Sequence, residues 1–306
     1  MCYDMPMAGS NPKKGLPGAG FWVPRQIADH PGQVSPAIER FARAAMPVLR
    51  VLFRPRLEGT ENLPASGPYL LVANHSAGLG VAEIFCFAAS YLTQLGPDKP
   101  LAGFALPLSF RVYPVSAMMA SVGAIPSTYE AAEHTFAKGV PILVFPGGDY
   151  DTLRPIWRAN LVDFGGRLGF LRMARKAGVP LVPLGIRGSH YTAPVLIRSQ
   201  LLAWLLVQPR LVGQKRWGIS GLGLLVAILI AALAPWSVPV KALVIWLWLG
   251  SPLVLMPWIP WTIRMRIGKP IANADLFGQG PEAGSEAELR RALTVVEAAV
   301  QQQVNP

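Results

Sequence analysis

The residues best suited to chemistry are a histidine and a carboxylate that follows it in the chain. In residues 69–83, YLLVANHSAGLGVAE, an apolar run typical of a strand ends at Asn74-His75, and a glycine-rich turn leads to helical spacing near Val81. A histidine at the C-terminal end of a strand lies where open α/β sheets bind ligands. Its imidazole could take a proton from a hydroxyl group near neutral pH. Alone, such a histidine is more often structural, so the hypothesis needs a second motif.

Two further motifs follow in order. Residues 141–151, PILVFPGGDYD, are an apolar run that ends in a glycine turn and acids, and residues 179–183 read Val-Pro-Leu-Val-Pro. Together with Asn74-His75, these stretches resemble the glycerolipid acyltransferase superfamily, which includes lysophosphatidate and diacylglycerol acyltransferases. The resemblance covers roughly residues 57–188 and again 262–271.

This resemblance implies a fold and an activity. It implies an α/β, glycerol-3-phosphate acyltransferase-like domain, with a central mixed sheet flanked by helices. It also implies transfer of a fatty acyl group from an acyl thioester, acyl-CoA or acyl-ACP, to a hydroxyl of a glycerolipid-type acceptor, with His75 as general base. Such enzymes use no metal, no bound cofactor and no covalent intermediate. The implied substrate-binding residues are Asn74, Pro146, Gly147, Gly148, Asp149, Asp151, Arg158 and Arg167.

The chain departs from the family at the partner of the histidine. The usual aspartate stands after four intervening residues, and that position here is Gly80. We hypothesise that Glu83 replaces it as a catalytic partner of His75, since Gly78 and Gly80 would permit a tight turn. The alternative is that Glu83 is a helix N-terminal acid that the helix dipole favours.

The loop at residues 146–149, which the resemblance implies binds the acceptor and which we call the acceptor loop, departs from the family as well. Lysophosphatidate acyltransferases usually carry Phe-Pro-Glu-Gly-Thr, whereas Pro-Gly-Gly-Asp at residues 146–149 is closer to the diacylglycerol acyltransferase branch. Asp149 and Asp151 would repel an anionic phosphate unless nearby arginines offset them, so the loop favours a neutral or zwitterionic acceptor. The alternative is a structural ion-pair network of Asp149, Asp151 and Arg167. His190, in a polar segment beyond the third motif, either lines the site or is a loop residue.

Composition indicates a membrane partner. Of 306 residues, 52% are hydrophobic and 15% charged, so the chain has more apolar surface than one core needs. The net charge of +11 fits an anionic membrane surface, and no nucleic-acid-binding motif is present. No G-x-S-x-G elbow, P-loop, dinucleotide fingerprint or metal-ligand cluster appears, and the two cysteines form no framework.

Two regions are candidates for membrane contact. Residues 35–53 read as a basic amphipathic helix that either lies in the membrane interface or packs on the domain. Residues 218–236 and 242–263 are nearly free of charge and predict an inserted hydrophobic membrane hairpin. The hairpin either crosses the bilayer twice or, because prolines break its second half, only enters it.

The predicted organisation is one α/β domain with an insertion, at the membrane, with its catalytic part on the cytoplasmic side. A capping box at Ser285 and Glu288 opens a final amphipathic helix that extends to about residue 301. The alternative function is a membrane-attached lipid-binding protein on a degenerate acyltransferase fold. The predicted divisions are a flexible tail at 1–34, an amphipathic membrane-surface helix at 35–56, the acyltransferase domain at 57–217, the hairpin at 218–263, and the final strand and helix at 264–306.

Overall fold

The structure is a computed structural model that describes residues 29–76, 78–278 and 284–305. Its strands are β1 (Arg56–Glu58), β2 (Leu70–Ala73), β3 (Ala102–Ala105), β4 (Ile125–Pro126), β5 (Ile142–Val144), β6 (Leu181–Arg187), β7 (Val195–Ser199), β8 (Trp217–Ser220) and β9 (Arg264–Ile267). Its helices are α1 (Pro36–Leu52), α2 (Val81–Leu95), α3 (Val115–Ser121), α4 (Tyr129–Ala137), α5 (Gly148–Thr152), α6 (Gly169–Ala177), α7 (Gln200–Leu206), α8 (Gln208–Leu211), α9 (Gly221–Leu233), α10 (Val238–Gly250), α11 (Asn273–Leu276) and α12 (Glu286–Val304).

Seven of these strands form one mixed sheet, in the order β1-β9-β6-β2-β5-β3-β4. β2 pairs in parallel with both β5 and β6, whereas β9 runs antiparallel to β6 and parallel to β1. β7 and β8 form a separate antiparallel pair. The predicted α/β class with a central mixed sheet is therefore confirmed.

The strand β2 lies at the centre of the sheet and is buried on both faces. Its side chains alternate between the faces, as the pleat of a strand requires. Leu70 and Val72 belong to one hydrophobic core, and Leu71 and Ala73 belong to the other. Because helices cover both faces, the strand is apolar at every position.

The helices divide between the two faces. Helices α4, α6 and α12 pack on the first face, and α1 and α2 pack on the second. The Ser285 side chain accepts a hydrogen bond from the Glu288 N–H, so the predicted start of the last helix is confirmed. That helix continues three residues past the predicted end, to Val304.

Helix α1 contacts the domain along one side and leaves another side exposed. Ala42, Met46 and Leu49 are buried in the core that α1 shares with α2, while Phe41 and Val48 are more than half exposed. The alternative that this helix packs on the domain therefore holds for the side that carries Ala42, Met46 and Leu49. The predicted flexible tail lies mostly outside the described residues, since 1–28 are not described. Within 29–34, the Gly32 N–H donates to the Gly123 carbonyl at 3.2 Å.

The predicted transmembrane hairpin is wrong in its length. The two helices α9 and α10 have 13 residues each, or ~20 Å, against the ~30 Å of a hydrocarbon core. Within the described part of the chain, no helix is long and apolar enough to cross a membrane. The reason is that the flanking apolar residues serve other purposes, because 217–220 form strand β8 and 252–255 turn back into the protein.

A third hydrophobic core joins this short helical hairpin to the domain. It contains Leu153, Val195, Trp217, Val254 and Leu255, and Leu79 of the turn after His75 packs against it. The Trp217 indole N–H donates to the Leu249 carbonyl at 2.7 Å. The chain then returns to the main sheet as β9. Through Leu79, the turn after His75 is in contact with the base of the hairpin.

Candidate active site

The end of β2 is attached to the neighbouring strand by Asn74. Its Nδ2 donates to the Ile186 carbonyl at 2.8 Å, and its Oδ1 accepts from the Ile186 N–H at 2.7 Å. Asn74 is buried, so its amide continues the strand pairing for one residue beyond β2. Asn74, which was predicted to bind substrate, therefore fixes the backbone from which His75 projects.

The next residue, His75, contacts the carboxylate of Glu83. Its Nδ1 meets Oε1 of Glu83, and that same oxygen accepts the Ser76 N–H at 2.8 Å. The Glu83 side chain is fully buried in the first turn of α2, whereas that of His75 is 13% exposed. The structure therefore brings together the histidine and the glutamate that the sequence paired.

The second oxygen of Glu83 is held by two serines. Oε2 accepts from Ser76 Oγ at 2.5 Å and from Ser189 Oγ at 2.7 Å. These bonds compensate for burying a carboxylate that has no lysine or arginine within ion-pair distance among the described residues. Sequence reasoning did not identify either serine as a partner of Glu83. The available signal was that each of the adjacent strands β2 and β6 is soon followed by a polar residue.

Gly80 explains why the carboxylate is not at the family's usual position. Its φ is +69°, and a Cβ atom built there would lie only 2.7 Å from Nδ1 of His75. Any side chain at position 80 would overlap the imidazole. Gly78, at φ +68°, is similarly close to Leu255, where a Cβ atom would lie 3.2 Å from the Cα atom. The turn thus needs both glycines, and the carboxylate comes from the following helical turn.

Residues after β5 form the other side of the histidine. The Phe145 ring stacks on the imidazole with 4.3 Å between centroids. Asp151 Oδ2 accepts the His75 backbone N–H at 2.6 Å, while its Oδ1 pairs with Arg154 at 2.7 Å. Burial raises the pKa of Asp151 to about 6, although Arg154 and the His75 N–H act in the opposite direction. Asp151 therefore positions the histidine backbone.

The predicted glycine turn is shaped around Asp151. A Cβ atom at Gly147 would lie 3.0 Å from the Asp151 Cγ atom, so the family's glutamate could not stand there without moving Asp151. Gly148 has a positive φ of 44° and begins α5. The Pro146 carbonyl accepts from Arg167 Nη1 at 3.1 Å.

Arginines neutralise the acids of the acceptor loop. Asp149 is buried and pairs with Arg167 at 2.6 Å and with Arg216 at 3.7 Å. The guanidinium groups of Arg198 and Arg216 lie 4.0 and 5.3 Å from the centroid of the Tyr150 ring. Both acids are therefore paired with arginines, and the ion-pair alternative holds for Asp149 and Arg167, whereas Asp151 pairs with Arg154 instead.

Two of these arginines were not found from the sequence. Arg198 lies in β7, and its guanidinium group reaches Tyr150, directly after the acceptor loop. Its pKa is lowered mainly by burial and also by Arg154 and Arg216. Arg216 directly precedes β8. Their separation from the loop along the chain left no local signal. Arg158, which was predicted to bind substrate, is exposed in a short 3-10 turn, and its side chain makes no hydrogen bond or ion pair to a described residue.

Chemically, the arrangement suits transfer of a proton at His75. A buried carboxylate orients Nδ1 and would stabilise a protonated ring, as in hydrolase triads. No cluster of three or more histidines, cysteines or acids suited to a metal occurs in residues 29–76, 78–278 and 284–305.

Comparison with known proteins agrees with this site. A family model described as Acyltransferase matches residues 54–187, which include His75, Glu83 and the acceptor loop. An uncharacterized Mycobacterium tuberculosis protein, Rv0502, is 30% identical over 169 residues, which cover 53% of this chain and 46% of that protein. An uncharacterized Mycobacterium leprae protein, ML2427, is 30% identical over 159 residues, or 51% and 42%. The chain thus spans less than half the length of these curated relatives.

One solved structure is similar in outline. It is the 1-acyl-sn-glycerophosphate (LPA) acyltransferase PlsC from Thermotoga maritima, with a TM-score of 0.47 and 19% identity. The match covers 88% of this chain and 80% of that one. Residues 54–187, somewhat less than half of the chain, thus match the acyltransferase family model.

Proposed function

We propose that the protein is an O-acyltransferase that works at a membrane surface. It moves a fatty acyl group from an acyl thioester, carried by coenzyme A or acyl carrier protein, to a hydroxyl of a glycerolipid-type acceptor. His75 is the general base, and Glu83 orients it. The family match supports acyl transfer, and the resemblance of the three motifs supports a glycerolipid acceptor.

The observation that carries this proposal is the contact between His75 and Glu83. Because Nδ1 faces the carboxylate, the neutral ring carries its hydrogen there and leaves the Nε2 lone pair for a substrate. Nε2 makes no hydrogen bond to any residue that the structure describes, and the side chain retains some exposure. A ring that only stabilised the fold would be expected to use both nitrogens.

The reaction follows from this geometry. Nε2 takes the proton of the acceptor hydroxyl while its oxygen attacks the thioester carbonyl carbon. The resulting tetrahedral intermediate expels the thiolate, which receives the proton back from the imidazolium. Glu83 lowers the energy of both steps by stabilising the protonated ring, and base catalysis of this type contributes ~10²–10⁴ in rate.

The loop chemistry leaves the charge of the acceptor open. Asp149 and Asp151 each face an arginine, so they give no net repulsion toward a phosphate. Arg198 and Arg216 add positive charge beside Tyr150. An anionic acceptor is therefore as compatible with the loop as a neutral one, and the assay must include both.

A membrane surface is the proposed location. The hairpin exposes large apolar side chains, among them Leu225, Ile228, Leu233, Val238 and Leu243, each between 47% and 79% exposed. Residues 164–274 contain no aspartate or glutamate but thirteen lysines and arginines. Apolar side chains flanked by cations suit binding to one leaflet of an anionic bilayer.

The test is acyl transfer by the full chain on vesicles. Radiolabelled oleoyl-CoA is offered with lysophosphatidate, lysophosphatidylcholine, monoacylglycerol or diacylglycerol, for wild type and His75→Ala. We expect product with at least one acceptor and a loss of ~10²–10⁴ in the variant. His30→Ala is the matched control, because His30 is exposed and should retain full rate. Equal rates for wild type and His75→Ala would refute the proposal.

The same experiment examines location and the alternative function. We expect sedimentation with vesicles that contain phosphatidylglycerol, and weaker sedimentation with phosphatidylcholine alone or at high salt. Tight binding of lipid without any product that depends on His75 would instead indicate a lipid-binding protein. The main reason for that alternative was the missing aspartate. This reason is weaker because Glu83 contacts His75 in place of an aspartate.

A further inference from the structure

A second histidine stands beside the His75–Glu83 pair at the same edge of the sheet. Strands β2 and β6 are parallel neighbours, and both continue into polar turns at their carboxyl ends. His190 lies in the 3-10 turn Ser189–Tyr191 that follows β6. The residue before it, Ser189, donates to Glu83. The turn of His190 is therefore bonded directly to the carboxylate that orients His75.

The turn that carries His190 is held in place from several sides. Gly188 has a φ of +97°, and a side chain there would overlap the Thr262 carbonyl. Thr192 Oγ donates to the Ser189 carbonyl at 2.8 Å, and the Thr192 carbonyl accepts the Trp258 N–H at 2.9 Å. This degree of fixation is what a group that must meet a substrate atom requires.

The His190 ring is nonetheless unsatisfied. The residue is 3% exposed, and neither Nδ1 nor Nε2 has a hydrogen-bond partner among the described residues. Burial, and then the charges of Arg154 and His75, lowers the pKa of His190 to about 3, so the ring is neutral. A neutral imidazole has one N–H donor and one acceptor. Buried polar groups in folded proteins nearly always have partners, so a small polar group, either a water molecule or part of a substrate, is expected beside this ring.

Neighbouring groups are unsatisfied in the same way. Arg154 is 1% exposed and uses Nε and Nη2 on Asp151 and the Asp163 carbonyl, but its Nη1 has no partner within the described chain. Asp149 Oδ2 is likewise buried without one. Both residues belong to the segment after β5 whose Asp151 accepts the His75 backbone N–H. A set of unmatched polar atoms beside a catalytic base indicates the place of a polar substrate group.

We propose that His190 is a second catalytic residue, whose N–H donates a hydrogen bond to the thioester carbonyl oxygen as that oxygen becomes negative. This rests on the proposed acyl transfer. A neutral imidazole suits this role, because it stabilises an oxyanion without giving up its proton. It cannot replace His75 as the base, since no carboxylate of the described residues contacts it. One preorganised donor of this type is worth ~10²–10³ in rate.

The test compares His190→Phe with His190→Gln in the vesicle assay. Phenylalanine keeps a planar ring but donates nothing, whereas glutamine keeps an N–H. We expect kcat to fall ~10²–10³ in His190→Phe, with KM for acyl-CoA changed much less, and substantial recovery in His190→Gln. The pH profile of kcat/KM should keep its shape in both variants, because His190 is neutral throughout the assay range.

A thermal melt separates this role from a structural one. Loss of kcat at an unchanged Tm supports the proposal. Equal losses in both variants, matched by equal falls in Tm, would mean that His190 only holds a buried water, and would overturn it. Wild-type rates in a folded His190→Phe would overturn it as well. If wild type itself transfers no acyl group, the proposed function fails, and this role with it.

A measurement on the wild-type protein does not depend on how the variants fold. ¹⁵N-labelled histidine spectra are recorded with and without an acyl-CoA thioether, which keeps the chain but cannot transfer it, and with an acyl-CoA ketone analogue. We expect the His190 N–H resonance to move downfield with the ketone, whose oxygen replaces the thioester carbonyl. A His190 resonance that neither analogue moves would overturn the proposal.

Discussion

Replacing Glu83 by glutamine removes the negative charge from the candidate dyad and changes little else. Glu83 receives four donors, namely His75 Nδ1, the Ser76 N–H, and the hydroxyls of Ser76 and Ser189. The Ser76 N–H cannot turn, so the glutamine oxygen should occupy the Oε1 position, where it still accepts from His75. The glutamine NH₂ then faces two hydroxyls, which can rotate to accept.

This geometry limits the expected loss. In a hydrolase triad, the corresponding change costs ~10⁴ in kcat because the ring adopts the wrong tautomer. Here the tautomer is preserved, and what disappears is stabilisation of the imidazolium. We therefore expect Glu83→Gln to lower kcat ~10²–10³, or ~3–4 kcal/mol of activation free energy. Because the hydroxyls can adapt, the free energy of unfolding should fall by only ~1 kcal/mol.

The assay is acyl transfer on vesicles with the best acceptor, and a urea titration measures stability. Glu130→Gln is the matched control, because Glu130 is also an acid in the first turn of a helix, α4, but lies outside the site. If Glu83 served only the helix dipole, the two variants would behave alike. A rate for Glu83→Gln within ~3-fold of wild type, or the same small loss in both variants, would refute the dyad.

Three further predictions follow from buried groups at the site. Gly80→Asp restores the family's usual aspartate, but it should not rescue Glu83→Gln and should itself lower kcat more than ~10-fold. The reason is that its side chain would overlap the His75 ring and that residue 80 has a positive φ. Recovery of activity in the double variant would contradict this. The lowered pKa of His190 means that the unfolded chain binds the extra proton between about 3 and 6.5. The contribution of His190 to native stability should therefore fall as pH decreases from 6.5, by ~2 kcal/mol at pH 5. It is measured as the difference between urea titrations of wild type and His190→Gln, because the raised pKa of Asp151 acts in the opposite direction in both proteins. Burial, with the Glu83 charge, raises the pKa of Cys86 to about 12, so iodoacetamide at pH 8 should alkylate Cys86 only in denaturant, as peptide mapping by mass spectrometry would show.

Local sequence patterns were sufficient for the main elements of the fold. The apolar run before Asn74-His75 is a central strand because a chain buried on both faces must be apolar throughout. Ser285 begins α12 because its side chain caps the Glu288 N–H, a contact that is local in sequence. Glu83 was the expected partner of His75 because Gly78 and Gly80 permit a turn tight enough to bring the start of the following helix close to His75.

The same patterns were misleading where hydrophobicity alone was counted. Residues 218–263 are apolar enough to suggest two spans, but Ser220 and Ser251 cap short elements and Pro252 starts a turn. Trp217, Val254 and Leu255 then pack into a core with Leu79 and Leu153. Hydropathy cannot distinguish a side chain that faces lipid from one that faces another part of the protein.

The sequence by itself predicted the two residues on which the proposed chemistry rests, a histidine after a strand and a carboxylate at the start of the next helix, since both lie within one short stretch of chain. Only the tertiary structure decided what surrounds them. Ser189 reaches Glu83 because β6 lies beside β2, and Arg216 reaches Asp149 through the distant β7–β8 pair. Those contacts depend on the order of strands in the sheet, a long-range property that no local spacing of residues encodes.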